Sequence, residues 1–192
     1  MKPGFCYLAE RTEAGEAVRQ IVRAFARDGV SLVNSHSGRI TELDDEGNQV
    51  DATEEELIGA ARARAHLTFQ LWLSSDTDIG CSFRRVTTDI VCHAYSVDGL
   101  NADERVQLVR WAIQYFRQGV RDQTALLLAV DPAGRTAHVD WDAVAAERVG
   151  LPHVLPDVIG LPCTWDERLP AFNGYSTEAL GEFELLSKES GR

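Results

Sequence analysis

Three arginines, Arg19, Arg23 and Arg27, recur every four residues in the segment from Thr12 to Asp28. On a helix, residues at i, i+4 and i+8 stack along one side. Guanidinium groups arranged this way offer forked donors that suit a carboxylate or a phosphate. The plainer reading is a solvated helix face, partly neutralised by Glu13, Glu16 and Asp28.

Other residues capable of chemistry are scattered. His36, flanked by Asn34, Ser35, Ser37 and Gly38, is the most site-like of the five histidines, with Asp131 and His138 as further members of a dispersed site. No serine lies in a G-x-S-x-G elbow, and neither phosphate-loop glycine pattern is present. Cys81 and Cys92 fall on neighbouring expected strands with His93 beside them. Successive strand residues face opposite ways, so Cys92 and His93 do not serve one ion, and the cysteines read as small buried thiols. The acidic stretch Glu42–Gly47 fails as a calcium loop: Glu42 stands at position one and Thr53 at position twelve. The expectation is a protein with no metal, no cofactor and no assigned catalytic residue.

Charge narrows the partners. The formal net charge is −11, and acids outnumber bases in each third of the chain. Such a field opposes nucleic-acid phosphates, whose recognition needs cations, and favours a basic partner. The longest apolar run, Ala125 to Val130, falls far short of the ~20 residues of a membrane helix. There is no apolar export signal near the N-terminus, and four widely spaced cysteines suit reduced thiols. A cytoplasmic location is expected, with neither membrane nor nucleic acid as partner.

The elements that must position these residues read as an α+β fold: an antiparallel meander with helices packed on one face and an extended Leu-Pro arm at the C-terminus. Phe5–Glu10 reads as a strand and Thr12–Asp28 as a helix with Ala14, Ala17, Val18, Ile21, Val22 and Phe25 on one arc. Val30–Ser35 and Arg39–Leu43 read as strands, and Asp44–Asn48 as a turn. Thr53 and Glu56 form a capping box opening a helix to about Ala65. Leu67–Leu73, Ile79–Val86 and Asp89–Val97 have strand character, the first with a clear period of two. Asn101 caps a helix ending at about Gln118, on which Trp111 falls among the polar residues with Arg110. Strands at Thr124–Val130 and Thr136–Val139 and a helix at Trp141–Arg148 follow.

From 53 to 149 the order is helix, three strands, helix, two strands, helix. This order resembles the fold of type III secretion chaperones and their relatives, without shared motif residues. The resemblance implies a protein-binding scaffold.

Residues 1–150 are expected to form one core, divided into a 1–52 β-α-β-β segment and a 53–150 α-β-β-β-α-β-β-α segment. Residues 151–192 then form a proline-rich arm and a short helix, Thr177–Leu186, packed on that core. Prolines 152, 156, 162 and 170 each follow a leucine and hold the arm extended. At least two of Leu151, Leu155, Leu161 and Leu169 are expected to be buried, with the arm lying over Trp111. The function that fits these features is non-enzymatic protein binding, as an immunity, inhibitor or chaperone-like protein for a basic partner. The alternative is an enzyme or small-ligand binder with a site built from dispersed residues. The residues expected to bind are Arg19, Arg23, Arg27, Arg110, Trp111 and Trp165.

Overall fold

Alternation along Phe5–Arg11 (β1) sends Cys6 and Leu8 into one apolar layer and Tyr7 and Ala9 into another. A strand buried on both faces belongs inside a sheet covered on both sides. In the computed structural model, which describes residues 3–44, 46–168 and 174–189, β1 sits in the interior of a ten-stranded antiparallel sheet.

The other strands are β2 (Ile40–Leu43), β3 (Gln49–Ala52), β4 (His66–Trp72), β5 (Asp78–Arg85), β6 (Ile90–Ser96), β7 (Ala125–Asp131), β8 (Val158–Pro162), β9 (Tyr175–Leu180) and β10 (Phe183–Lys188). Their spatial order is β3-β2-β4-β5-β6-β1-β7-β8-β10-β9. The expected meander is β4–β5–β6, paired through short turns. β1 lies between β6 and β7, with Leu8 opposite both His93 and Leu128.

Three helices cover one face: α1 (Ala14–Arg27), α2 (Glu54–Ala63) and α3 (Ala102–Arg121). Each begins on a side-chain cap. Glu13 accepts from the Gly15 and Glu16 amides, while Thr53–Glu56 and Asn101–Glu104 form reciprocal capping boxes. Phe25, Leu57 and Phe116 are almost fully buried against the sheet, each worth roughly 1.5–3 kcal/mol of apolar burial. The short α4 (Trp141–Ala145) packs on the opposite face with Tyr7, Leu127 and Ile159. Among the described residues no helix is long and apolar enough to cross a membrane.

Several local expectations are corrected. Thr177–Leu186 is not a helix but the hairpin β9–β10, turned at Gly181 with φ +67°. Glycine there accepts the left-handed backbone of a two-residue hairpin turn, and pairing with β8 overrides the helical preference of its Glu and Leu residues. Thr136–Val139 forms turns, because the Thr136 amide and hydroxyl both donate to the buried Asp131 carboxylate, folding the backbone back. The order from 53 to 149 therefore lacks the second strand of its last pair. Val30–Ser35 makes only isolated bridges, Ser31 to Trp72 and Val33 to Ile40, while the strand beyond the Asp44–Asn48 turn, β3, was not expected and pairs with β2 as a hairpin.

Leu155 and Leu161 are buried and Leu151 is half-buried; Leu169 lies outside the described residues. Part of the arm is itself a strand, β8, between β7 and β10. Leu155 and Leu161 pack in the layer of Tyr7 and Trp141, on the face away from Trp111.

Candidate functional site

A groove runs between α1 and α3 on the helical face. Its main cavity, about 570 Å³, is bordered by Gln20, Arg23 and Arg27 from α1, by Trp111, Gln114 and Tyr115 from α3, and by Glu10 from β1. A second hollow adjoins it, sharing Asp28, Trp111 and Gln114 and adding Arg110. The helical repeat explains the placement: α1 buries the arc containing Val18, Ile21 and Phe25, leaving Arg23 and Arg27 at the rim.

Arginine pairing separates this groove from the rest of the surface. Arg19 reaches Glu16 at 3.4 Å, and elsewhere arginines engage carboxylates, backbone carbonyls or side-chain oxygens, as Arg11 does with Asp89, Arg105 with the Leu100 carbonyl and Arg121 with Gln118. Among the described arginine side chains, Arg23, Arg27 and Arg110 alone have neither an ion pair nor a hydrogen bond. All three border the α1–α3 groove.

Below the groove lies a buried polar chain. Glu10 is 3% exposed and accepts hydrogen bonds from the Tyr115 hydroxyl at 3.2 and 3.3 Å. His93 Nε2 stands 3.3 Å from Glu10 Oε1 without hydrogen-bond alignment, so the contact is an electrostatic approach only. On its other side His93 Nδ1 shares a 2.8 Å hydrogen bond with the Tyr95 hydroxyl. The two rings stand edge to face, as do His93 and Tyr115. Burial pushes the Tyr115 phenol well up, and the Glu10 charge pushes it further. Burial likewise raises Tyr95, helped by neighbouring Cys81 and Tyr115. Both phenols therefore stay protonated, and Tyr115 acts as a donor to Glu10. Burial also pushes the Cys6 thiol up to about 12, which removes it as a nucleophile near neutrality.

Trp111 does not present its face to solvent. It is 4% exposed and stacks on Phe25 with centroids 3.6 Å apart. A tryptophan out of phase with its helix is thus covered by α1, which rises beside α3. Trp165 is 6% exposed and belongs to the opposite layer; burial removes it from the groove. Of the expected binding residues, Arg23, Arg27, Arg110 and Trp111 are brought together, Arg19 is occupied by Glu16, and Trp165 lies apart.

The dispersed set does not assemble. His36 is exposed on a turn, 3.6 Å from Asp76. Asp131 is buried and bonded to Thr136, and His138 is exposed without a contact to either. Among the described residues no three of His, Cys, Asp and Glu converge to hold a metal ion.

The sequence reading missed Glu10, Tyr115 and the inward His93. The signal was present: Glu10 continues the inward phase of Cys6 and Leu8, and a charged residue on a buried strand phase requires partners. With groove, buried chain and unpaired arginines described, comparison adds nothing by likeness: no family model, curated protein or solved structure matches this chain.

Proposed function

We propose that this chain is a ligand-binding protein whose site is the α1–α3 groove, and that it takes a small molecule carrying carboxylate or phosphate groups. One observation carries the reading. In a protein of net charge −11, the three arginines without a partner among the described side chains all border one groove. Of the carboxylates on the same walls, Glu10 is held by Tyr115, Glu16 by Arg19 and Asp122 by Gln118, while Asp28 and Asp103 have no arginine partner among the described residues. The three unengaged guanidinium groups at this concave site favour an anionic guest. Gln20 and Gln114 add uncommitted amide groups to the same walls. Trp111 and Phe25, stacked together, support the groove from beneath.

Titration calorimetry with inorganic pyrophosphate and with citrate tests this. Saturable binding is expected for the unaltered protein, weakening at least tenfold in Arg23→Ala/Arg27→Ala/Arg110→Ala, since a charge-assisted hydrogen bond contributes about 1.5–3 kcal/mol. No binding of either probe, or equal binding by the triple variant, would reject the site.

The net charge supports a second reading, a non-enzymatic role in which a basic protein docks on the acidic surface. It has less geometric support. Among the described residues the exposed large apolar ones are Val33, Val50, Val106, Val149 and Val154, with no aromatic anchor among them. Association that slows steeply with added salt is the behaviour this reading requires.

A further inference from the structure

On the face of the sheet away from the groove, β4 and β5 set a serine beside a histidine. Both strands turn alternate apolar residues, Leu67 and Phe69 on β4 and Cys81 and Phe83 on β5, into the helical layer. His66, Thr68, Ser82 and Arg84 therefore take the opposite face. In register Thr68 lies across from Ser82 and His66 across from Arg84. His66 and Ser82 are thus diagonal neighbours, within reach of a long side chain.

Ser82 Oγ stands 3.1 Å from His66 Nε2, and Arg84 Nη1 donates to the same oxygen at 2.7 Å. A guanidinium can only donate, so that bond takes a lone pair of the oxygen and leaves the hydroxyl proton for the imidazole. Arg84 is itself held by Asp142 at 2.6 and 3.0 Å and keeps 30% of its side chain exposed. Ser82 is half-buried and His66 is exposed. With Gly80 and Arg84 the serine borders a hollow of about 480 Å³. A Cβ added at Gly80, on the same face of β5, would meet nothing within 4 Å, so there is room beside the hydroxyl. A nucleophile within hydrogen-bond reach of a base, with a cationic donor at the attacking oxygen, is an arrangement suited to acyl transfer.

We infer that Ser82 and His66 form a nucleophile–base pair that acts on small, neutral carboxylic esters. Ser82 Oγ attacks the ester carbonyl carbon while its proton passes to His66 Nε2. The remaining Nη1 hydrogen of Arg84 stabilises the negative oxygen of the tetrahedral adduct. The adduct collapses with loss of the alkoxide, which takes the proton back from His66. Water, activated by the same imidazole, then cleaves the acyl-serine to a carboxylic acid and restores the hydroxyl. The substrate is neutral because the charge of Arg84 is already matched by Asp142. The site is independent of the anion groove, from which the sheet separates it.

The probe is para-nitrophenyl acetate, with nitrophenolate release followed by absorbance and the acid-quenched protein mapped by peptide mass spectrometry. An acetyl group is expected on Ser82 of the unaltered chain. Its formation is expected to slow at least about tenfold in His66→Gln, the smallest loss consistent with removing a general base. Nitrophenolate release should fall as far in Ser82→Ala. An unacetylated Ser82 would overturn the proposal, and so would acetylation of Thr68 instead, whose Oγ1 lies 3.3 Å from the same nitrogen. Undiminished acetylation of Ser82 in His66→Gln would overturn it equally. The mapping on the unaltered chain needs no variant, so a variant that fails to fold cannot hide the result. Because pyrophosphate and citrate report on the other face, failure at one site leaves the other distinguishable.

Discussion

The hydroxyl of Tyr115 donates to the carboxylate of Glu10 across 105 residues of sequence, joining α3 to the interior strand β1 under the α1–α3 groove. Tyr115→Phe keeps the ring and removes the donor, leaving a buried carboxylate poorly satisfied. A loss of about 1–3 kcal/mol is expected, read as a lowered urea midpoint with unchanged slope. An unchanged midpoint would show that the contact contributes nothing to stability.

Alkali should weaken the fold through its thiols. Burial lifts Cys6 from its ordinary 9.0 to about 12. A group whose folded pKa lies above its unfolded value contributes stability that is complete below the unfolded pKa and disappears as pH rises toward the folded one. The window is therefore pH 9 to 12. In that window Cys6→Ala should reduce the fall in stability by up to about 1.4 kcal/mol per pH unit, one proton's worth. Parallel stability–pH curves for the two proteins would count against this.

Two glycines should respond oppositely to the same change. At Gly160 in β8 an added Cβ would lie 2.5 Å from Phe116, itself packed edge to face on Phe183. Gly160→Ala must push that ring and should cost about 1–3 kcal/mol. Gly80→Ala meets open space and should be neutral or stabilising by about 0.4–1 kcal/mol, through a less flexible unfolded chain. Thermal denaturation of both variants decides it; a tolerated Gly160→Ala would show that Phe116 has room to move.

Legibility followed the range of the forces involved. α1 and the two capping boxes were readable because apolar periodicity and caps act within a few residues, as Glu56 does on Thr53. The meander was readable because Leu67, Phe69 and Leu71 alternate cleanly with less buried neighbours. The C-terminal hairpin was not, since its helical-looking residues become strands only by pairing with β8. Likewise Arg23, Arg27 and Arg110 could be listed but not joined, because α1 and α3 meet only through tertiary packing around Phe25 and Trp111. Glu10 shows both limits: its inward phase was visible locally, while its partner Tyr115 was fixed by the docking of α3.

The place of β1 in the sheet has a consequence for biosynthesis. Its register partners begin at Ile90 on one side and at Ala125 on the other. At a translation rate of about 5–20 residues per second, the roughly 80 residues from Arg11 to Ile90 take on the order of 4–16 s to emerge. For that interval the apolar run Phe5–Ala9 has neither of its neighbouring strands to pair with, so a nascent chain stalled before β6 is the species most exposed to aggregation and to chaperone capture.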